Sequence, residues 1–518
     1  NVDATADNVT GTEVYGGYSS LGNTTTNNKI KITNTNNTNL SVYGGYTAGA
    51  GDSTNNHVTI TATGKVKAAY GGYATAANSK AEGNSVTVES GASLNDSIYG
   101  GWAKKTANNN TVKLAGGTFQ KNIYGGYATA ANGTTTGNIV NLGDDTHRDL
   151  SGATLAASDI YGGNKAATGN TLNVKAKDGV TLKKVRNVEK FSFQLVDDTT
   201  KTSPLLNLTE AGGFGKVTSD NSDVKVKWSN VTVDMSKVTM EKDAAKIQGK
   251  NTYILMRAAD PTLKFSDYAA RYDTYGGVYE TGLRTNTNSD TAQEVLYDVN
   301  RFKDGRVTYT TASTGEALGG YSAFGNTTEG NELTLTGVTG TLTTAYGGQT
   351  AGAMGDSVNN KVTLNGTGAG SIANVYGGAI TRAANGGNAT GNTVTLTGGT
   401  VKKNISGGQS SGANGKATGN IVAITNGSTV EGIVNGGHMT GDGTASDNEI
   451  TISGSTIKQS VNGGYSSASG TVTGNTITVS GSSTLEKAVY GGYADTAGTV
   501  TGNIVNISDG TFQKRVYG

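Results

Sequence analysis

Short strand-like patterns alternate with polar turns along this chain, and two of the patterns recur in step. The first is Asn-x-apolar-x-apolar, as in residues 84–88, where Asn84, Val86 and Val88 fall on one face. Alternation with a period of two predicts a β-strand that buries one face only. The pattern begins at Asn28, Asn56, Asn84, Asn110, Asn138 and Asn170, and again at Asn331, Asn360, Asn392, Asn420, Asn448, Asn475 and Asn503.

The second pattern is a pair of glycines between apolar or aromatic residues, as in Asn122-Ile-Tyr-Gly-Gly-Tyr127. It returns about every 28 residues and keeps step with the asparagine pattern. The first glycine of each pair is Gly16, Gly44, Gly71, Gly100, Gly125 or Gly162, and later Gly319, Gly347, Gly377, Gly407, Gly436, Gly463 or Gly491.

Two motifs in phase at a period of 20–50 residues indicate a solenoid. No repeat shows the 3.6-residue period of helical solenoids, and leucine-rich repeats require a fixed leucine spacing that is absent from the sequence. Propeller blades are longer, at about 40–50 residues. The sequence therefore predicts an all-β protein, a parallel β-helix with about 28 residues per coil.

Three local predictions follow from the repeat. The asparagines are predicted to point inward or to cap the corner, and stacked coil upon coil they can bond amide to amide in a ladder, because a buried amide requires partners. Phe119 and Ile123 are apolar and four residues apart, with polar residues between them. Simple alternation would bury the middle polar residue, which predicts a bend or bulge. The glycine pair predicts a tight corner at which coils approach closely and φ can be positive.

The repeats divide the chain into three parts. Residues 1–175 form the first array and residues 313–518 the second, while residues 176–312 break the pattern. The central segment is predicted to be irregular β-helix coils with hairpins or long loops, or alternatively a separate inserted domain. Its predicted strands are Phe191–Leu195, Val224–Trp228 and Tyr253–Met256, and Glu241–Lys246 could form one helical turn.

Composition narrows the class of protein. Lys plus Arg (41) nearly equals Asp plus Glu (40), so nothing in the charge predicts binding to nucleic acid or to an anionic membrane. Seventy-nine glycines with two prolines exclude collagen, and the absence of cysteine excludes disulfides and thiol chemistry. No apolar run approaches 18 residues. The sequence has no initiator Met and stops inside a repeat, which predicts a piece of a longer protein.

The repeats resemble the passenger regions of large bacterial type V autotransporter adhesins. The similarity is greatest to the Tyr-Gly-Gly-rich group of fusobacterial and Veillonella-like anaerobes. It covers most of the chain and fails across the central segment. The copies that carry it are Gly137–Leu142 with Ile123–Tyr127, Gly391–Ile405, and Gly474–Val479 with Val489–Tyr493.

This resemblance implies a right-handed β-helix, outside the cell and attached to the bacterial outer membrane. The implied export route is a C-terminal β-barrel that lies outside this sequence, and that barrel would be the only link to the membrane. The implied function is that of an adhesin or stalk, with host or neighbouring-cell glycans or proteins as partners. Lateral or fibre self-association is a further possibility.

Aromatic residues flank the glycine pairs on both sides. A residue that recurs once per coil suits packing between coils, where each aromatic contact contributes about 0.5–1.5 kcal/mol beyond burial. The structural interpretation is therefore stacking. The functional hypothesis is an exposed strip that stacks on sugar rings, formed by the residues after the glycines: Tyr18, Tyr46, Tyr73, Trp102 and Tyr127.

One acidic loop is a candidate metal site. Asp144, Asp145 and Asp149 lie where a repeat has grown longer, and their carboxylates suit Ca²⁺ or another hard cation. The alternative is a solvated loop. His57, His147 and His438 are too scattered in sequence to predict a site, and no cofactor is expected.

The repeats do not predict catalysis. β-Helix carbohydrate enzymes need carboxylates clustered on one face, whereas outward strand positions here carry Thr, Lys, Ser and Asn. No nucleophile motif has partners in the sequence. Two functions remain open: an adhesin that binds through the central segment or the loops, and a structural spacer or surface-layer element. A carbohydrate-active enzyme is the third alternative.

Overall fold

The computed structural model describes most of the chain. The described residues exclude 1–2, 151, 166–167, 196–198, 200, 211–213, 218–222, 226–231, 234–238, 241–246, 260–270, 287–292, 311–313, 353, 367–370 and 382–385. All regular secondary structure in the described part is β-strand. The predicted fold class is confirmed, because the strands form a parallel β-solenoid of about 15 coils with about 28 residues per coil.

The chain divides into two compact units. The first comprises Asn1–Ala244, Thr252–Arg271 and Leu283–Tyr297, and the second comprises Ala245–Asn251, Tyr272–Gly282 and Asp298–Gly518. Within the described part of the chain, a six-stranded sheet belongs to the central segment, and three further kinds of sheet recur in both units. We call them the asparagine sheet, whose strands follow the repeated asparagines, the glycine sheet, which contains the glycine pairs, and the third sheet.

In the first unit the strands pair almost entirely in parallel. The asparagine sheet contains Asp3–Asp7, Lys29–Thr33, His57–Ile60, Ser85–Val88, Thr111–Leu114, Ile139–Leu142, Thr171–Val174, Lys190–Leu195, Thr232–Val233 and Thr239–Met240. The glycine sheet contains Glu13–Ser19, Asn36–Thr47, Lys65–Ala74, Ser93–Leu94, Ile98–Ala103, Thr118–Phe119, Ile123–Ala128, Asp159–Gly163, Lys184–Arg186, Phe214–Val217 and Asp223–Lys225. The third sheet contains Thr25–Thr26, Ser53–Thr54 and Ala81–Glu82.

The second unit repeats this plan. Its asparagine sheet contains Arg306–Tyr309, Glu332–Thr336, Lys361–Asn365, Thr393–Thr397, Ile421–Thr425, Glu449–Ser453, Thr476–Ser480 and Ile504–Ile507. Its glycine sheet contains Gly315–Ser322, Thr341–Thr350, Ser371–Ile380, Thr400–Val401, Ile405–Ser410, Thr429–Val430, Val434–Met439, Thr456–Ile457, Val461–Ser466, Thr484–Leu485, Val489–Ala494, Thr511–Phe512 and Val516–Tyr517. Its third sheet contains Thr328–Glu329, Ser357–Val358, Asn388–Thr390, Lys416–Thr418, Thr444–Ser446, Thr471–Thr473 and Thr499–Thr501.

Equivalent residues of successive coils pair directly. Val86 lies beside Val112, and Val88 beside Leu114. These side chains are fully buried, as the alternating pattern predicts, so each coil covers the apolar face of the next. The core is therefore a set of columns that run through the coils.

A ladder of asparagine side chains lines one edge of this core, as predicted. The side-chain amide of Asn84 donates to Oδ1 of Asn110 at 3.1 Å and to the carbonyl oxygen of Ser53 at 2.8 Å. The same Oδ1 of Asn110 also accepts the backbone N–H of Asn84 at 3.0 Å. The ladder runs from Asn28 to Asn170 in the first unit and from Asn331 to Asn503 in the second.

The glycine pairs make room for this ladder. A Cβ atom on Gly100 would lie 2.4 Å from the carbonyl oxygen of Gly125 in the next coil. One on Gly101 would lie 2.5 Å from Nδ2 of Asn110. The predicted close approach is confirmed, but the predicted positive φ is wrong, because both glycines lie in the extended strand Ile98–Ala103. Glycine is needed for its missing side chain.

The predicted bend between Phe119 and Ile123 is also confirmed. The strand Thr118–Phe119 ends there, and the next strand begins at Ile123 after three residues outside any strand. Phe119 and Ile123 are both buried, while Gln120 and Lys121 are exposed. The interruption keeps Lys121, midway between the two apolar residues, out of the core, where regular alternation would have placed it.

The central segment is β-rich where it is described. The predicted strands Phe191–Leu195 and Tyr253–Met256 lie within Lys190–Leu195 and Lys250–Ala258. Of residues 224–228, the first two belong to the strand Asp223–Lys225, and the rest lie outside the described residues, as does the predicted turn at 241–246. The domain boundaries stay a prediction. The six-stranded sheet of this segment contains Val180–Leu182, Leu206–Leu208, Lys250–Ala258, Arg271–Tyr275, Tyr279–Asn286 and Gln293–Arg301.

Candidate functional site

The most regular surface feature of the first array is a double file of aromatic rings, which we call the aromatic ribbon. The file before the glycine pairs consists of Tyr15, Tyr43, Tyr70, Tyr99, Tyr124 and Tyr161, and the file after them consists of Tyr18, Tyr46, Tyr73, Trp102 and Tyr127. The second file is the strip predicted from the sequence.

A change of phase at the glycine pair places both files on the same surface. In Ile98–Ala103 the outer residues Ile98 and Ala103 are buried, whereas Tyr99 and Trp102 are half-buried. Simple alternation would put residues three apart on opposite faces. Because both glycines between them are buried, Tyr99 and Trp102 both point outward, one on each side of the glycine pair.

Rings within a file stack on their equivalents in the adjacent coils. The ring centroid of Tyr70 lies 4.8 Å from that of Tyr43 and 4.8 Å from that of Tyr99, with interplanar angles of 8° and 3°. Tyr73 lies between Tyr46 at 5.0 Å and Trp102 at 4.2 Å. Each of these interior rings therefore has a neighbouring ring on both faces.

The two files also contact each other edge to face. Tyr43 and Tyr46 have centroids 5.3 Å apart with an interplanar angle of 87°, and Tyr70 and Tyr73 repeat this arrangement at 5.2 Å and 85°. This is a favoured geometry for aromatic pairs, because the positive ring edge meets the negative face. What the interior rings offer to solvent is their outer edges and hydroxyl groups.

Tyr18 differs from the rest of the predicted strip. It is 57% exposed and stacks on Tyr46 at 5.3 Å. It also lines a cavity of about 540 Å³ together with Ser19, Leu21 and Asn23. At the other end of the strip, Trp102 and Tyr127 are 6.5 Å apart. The structure brings the five predicted residues into one file, and sugar binding by that file stays a prediction.

Polar side chains two residues before the ribbon tyrosines contact their hydroxyl groups. Tyr15 donates its hydroxyl proton to Oε2 of Glu13 at 2.7 Å, and Tyr161 donates to Oδ2 of Asp159 at 3.5 Å. Asn122 instead donates its amide to the Tyr124 hydroxyl oxygen at 3.2 Å. Sequence reasoning missed these contacts, although the constant spacing of two residues is visible in the repeat.

The phenol groups of Tyr15 and Tyr43 are neutral at physiological pH. Burial raises the pKa of Tyr43 to about 12. Burial also raises the pKa of Tyr15, and the nearby Glu13 carboxylate raises it further. These phenols therefore stay protonated, and any attraction for a ligand comes from ring edges and hydroxyl groups.

The second array interrupts the aromatic files. Tyr346 and Tyr376 stack at 5.2 Å, but Ser406, Asn435 and Asn462 follow at the equivalent positions. The amide of Asn462 donates to Oδ1 of Asn435 at 2.8 Å. The file therefore changes from ring stacking to amide pairing while the backbone register continues.

His438 replaces an aromatic residue in the file after the glycines. Its ring lies 4.9 Å from the ring of Tyr465, whose hydroxyl group donates to the Asp495 carboxylate. Burial lowers the pKa of His438 to about 4, although the charge of Asp495 acts in the opposite direction. The imidazole is consequently neutral near pH 7 and packs on the Tyr465 ring at an interplanar angle of 31°.

In the candidate metal loop, lysine ammonium groups already form ion pairs with carboxylates. Asp145 Oδ1 is 2.8 Å from the Lys175 ammonium, and Asp149 is exposed. Within the described part of the chain, no group of three or more His, Asp or Glu side chains is arranged to hold a metal ion. The metal site at Asp144, Asp145 and Asp149 stays a prediction, with ion pairing as its competitor.

Asp144 is the most strongly held of these acids. Its Oδ2 lies 2.6 Å from the Lys113 ammonium of the preceding coil, and Oδ1 accepts the backbone N–H groups of Thr146 at 2.8 Å and His147 at 2.7 Å. Burial by itself would raise the pKa of Asp144, but Lys113 and these donors outweigh it and hold the pKa well below its usual range. Asp144 thus pins the enlarged loop to the adjacent coil.

A buried carboxylate in the second unit was not predicted. Glu280 is fully buried, and its oxygens accept the side-chain amide of Asn300 at 3.0 Å, the hydroxyl of Ser322 at 2.8 Å and the amide of Asn326 at 2.9 Å. The backbone N–H of Ala323 donates to it as well. Nothing near Glu280 in the sequence signals this role, because its partners are 20–46 residues away.

Compared with protein-family models and with curated protein sequences, the chain matches none of them. Among the residues that the structure describes, no helix has the length and apolar character needed to span a membrane.

Proposed function

We propose that this chain is part of the stalk of a bacterial cell-surface adhesin, exported by the autotransporter route, and that its regular arrays act as a spacer. The contacts within each array support this role. Strands pair with their equivalents in the neighbouring coils, as Val86 does with Val58 and Val112. An array held by nearest-neighbour contacts extends by whole coils without a new core.

The observation that carries this proposal is that neighbouring rings cover the faces of the interior aromatic residues. A sugar that stacks on an aromatic residue needs a free face, and both faces of Tyr70 and Tyr73 are covered by rings of adjacent coils. The inner asparagines are likewise committed to the ladder. The most regular features of the surface and of the core are thus engaged between coils, which favours a spacer over an extended glycan-binding strip.

The outer-membrane location rests on the resemblance of the repeats to autotransporter passengers. The absence of cysteine fits that route, because a chain that crosses a pore unfolded cannot carry closed disulfides. The hydrogen-bonded asparagine ladder and the apolar columns supply stability without covalent links. The proposed partners of a complete adhesin are host or neighbouring-cell glycans or proteins, bound outside the regular coils.

Binding by the strip itself is a second candidate function, and Tyr18 is the observation that favours it. Tyr18 is 57% exposed and lines the cavity next to Ser19 and Asn23, whose polar groups suit a sugar hydroxyl. This candidate places binding at one end of the ribbon instead of along its length.

Removal of a whole coil tests the spacer function. Deletion of residues 421–448 joins Asn420 to Glu449 and restores the Asn-x-apolar-x-apolar pattern. When the chain is displayed on a bacterial surface, each deleted coil should bring a terminal reporter closer to the cell by about 4.8 Å. Loss of folding on deletion would contradict the nearest-neighbour architecture.

A binding assay on the same chain separates the two candidates. The purified chain should show no saturable binding to a glycan array or to host cells. Saturable binding that disappears in Tyr18→Ala and persists in the exposed-loop control Asn132→Ala would replace the spacer proposal with the binding one.

A further inference from the structure

The aromatic ribbon forms an unbroken series of ring contacts over six coils. From Tyr161 the path passes through Tyr124 at 4.6 Å and Tyr99 at 5.1 Å. It continues through Tyr70 and Tyr43 at 4.8 Å each. The last step, from Tyr43 to Tyr15, is 5.1 Å. Edge-to-face contacts with the second file, such as Tyr43 with Tyr73 at 5.4 Å, provide parallel routes.

The tyrosines at the two ends of the first file, Tyr15 and Tyr161, differ from the interior Tyr124 in the groups that contact their hydroxyls. Glu13 and Asp159 present carboxylate oxygens to the hydroxyl protons of Tyr15 and Tyr161. At the interior Tyr124, the hydroxyl oxygen instead accepts a hydrogen bond from the side-chain amide of Asn122. A carboxylate can take up a phenol proton, whereas an amide N–H cannot.

We propose that the aromatic ribbon is a relay for one-electron oxidation that delivers the oxidising equivalent to Tyr15. A strongly oxidising oxygen-centred radical from the medium, such as the carbonate radical, takes one electron from a ring and is itself reduced to carbonate. That ring regains an electron from its neighbour. Each interior ring is restored, so no bond changes there. At Tyr15 the O–H bond breaks, the proton passes to the Glu13 carboxylate, and a neutral phenoxyl radical remains.

The surroundings of Tyr15 give the radical access to solvent. The Tyr18 ring is 5.1 Å from the Tyr15 ring and is 57% exposed, so a phenolic molecule in solution can reach this end of the ribbon. The Glu13–Tyr15 hydrogen bond, at 2.7 Å, is shorter than the Asp159–Tyr161 bond, at 3.5 Å. The shorter bond favours proton transfer at Tyr15. The relay thus confines oxidative damage to one exposed end.

The absence of cysteine allows a site-specific test on the full chain. Thr129→Cys introduces a single thiol at an exposed position two residues after Tyr127, and a ruthenium tris-bipyridine photo-oxidant is attached to it. From there Tyr15 and Tyr18 are four coils away, about 19 Å at about 4.8 Å per coil. After illumination with a sacrificial electron acceptor and a biotin-phenol trap, the labelled tyrosines are identified by mass spectrometry.

The matched variant keeps the stacking and removes the oxidisable groups. Phenylalanine retains an aromatic ring but lacks the phenol of tyrosine and the indole of tryptophan, so Tyr70, Tyr73, Tyr99 and Trp102 are all replaced by Phe. Circular dichroism and melting check that the fold is kept. Attachment at Thr440→Cys in the second array measures background labelling. We expect Tyr15 and Tyr18 to be labelled in the parent, and labelling to fall to the background level in the Phe variant.

Two results would overturn the proposal. One is labelling of Tyr15 and Tyr18 that is no greater than the Thr440→Cys background. The other is equal labelling in the parent and the Phe variant, which would mean that the oxidant reaches Tyr18 through solvent. Glu13→Gln removes the proton acceptor and should reduce labelling at Tyr15, and unchanged labelling there would refute the role of Glu13.

Discussion

Asn84 and Asn110 lie 26 residues apart in sequence, yet Oδ1 of Asn110 accepts both the side-chain amide and the backbone N–H of Asn84. Asn110 in turn donates its own amide to Oδ1 of Asn138 at 3.2 Å and to the carbonyl oxygen of Ala81 at 2.9 Å. All of these groups are shielded from water, so each bond exists only because the next coil supplies the same residue at the same place.

Replacement of one asparagine of the ladder should therefore destabilise the chain strongly. Asn110→Leu leaves buried donors on Asn84 and a buried acceptor on Ala81 without partners, at a cost of about 1–3 kcal/mol each. We expect a loss of about 3 kcal/mol in the free energy of unfolding, measured by urea denaturation. The control Asn132→Ala, in an exposed loop, should change stability little, and equal effects of the two variants would contradict the ladder's role.

Gly101, which lies beside Asn110, should not tolerate substitution even by alanine. The new Cβ of Gly101→Ala would lie 2.5–2.6 Å from the carboxamide of Asn110, which the ladder holds in place. We expect a destabilisation of about 1–3 kcal/mol, as for other overpacked cores. Gly11→Ala serves as the control, because a Cβ there meets nothing within 4 Å. A stable Gly101→Ala chain would indicate that the coils can move apart.

Protonation of His438 should couple stability to pH. Burial lowers its pKa in the folded state to about 4 from an ordinary value of 6.5, so the folded state resists the proton that the unfolded state accepts. The stability contribution is complete above pH 6.5 and is lost as the pH falls from 6.5 to 4, by about 3 kcal/mol in total.

Denaturation of the parent and of His438→Tyr at several pH values would check this. Tyrosine occupies the equivalent position at Tyr465, so an aromatic ring is kept at this position. The parent should lose about 3 kcal/mol more than the variant between pH 7 and pH 4. A second control, His147→Asn, removes a histidine that is 49% exposed. Parallel pH profiles for the parent and His438→Tyr would refute the assignment.

The buried carboxylate Glu280 should order the loop at 322–326. Glu280→Gln replaces one acceptor oxygen with an NH₂ group, which then faces either the Ala323 N–H, the donor to Oε1, or the Asn326 amide, a donor to Oε2. We expect a loss of about 1–3 kcal/mol and faster amide hydrogen exchange at residues 323–326. Glu316→Gln, at an exposed position, is the matched control. Unchanged exchange in Glu280→Gln would show that the loop is ordered by other contacts.

Calcium should leave the loop around Asp144 unchanged. The Lys113 and Lys175 ammonium groups already neutralise Asp144 and Asp145 at 2.6 and 2.8 Å. We expect calorimetric titration of the chain with Ca²⁺ to show no binding, and the melting temperature to be the same with Ca²⁺ and with EDTA. Saturable binding that is lost in Asp144→Asn would establish the metal site predicted from the sequence.

Periodicity determined most of the fold. The spacing of Asn84, Val86 and Val88, repeated coil after coil, was sufficient to predict inward valines, an amide ladder and parallel pairing. A repeat gives every residue an equivalent neighbour, so a local pattern specifies a long-range contact. The bend after Phe119 followed from the same reasoning, because regular alternation between Phe119 and Ile123 would bury the Lys121 side chain midway between them.

The tertiary structure decided what the sequence left open. Both chemistry and spacing allowed the Tyr73 ring to face a sugar or a neighbouring ring, and only the distance between coils shows that rings cover both of its faces. Glu280 and its partners come from irregular segments without a period, so no pattern linked them. A repeat predicts contacts between equivalent positions, whereas contacts between unlike segments depend on how the chain is folded in space.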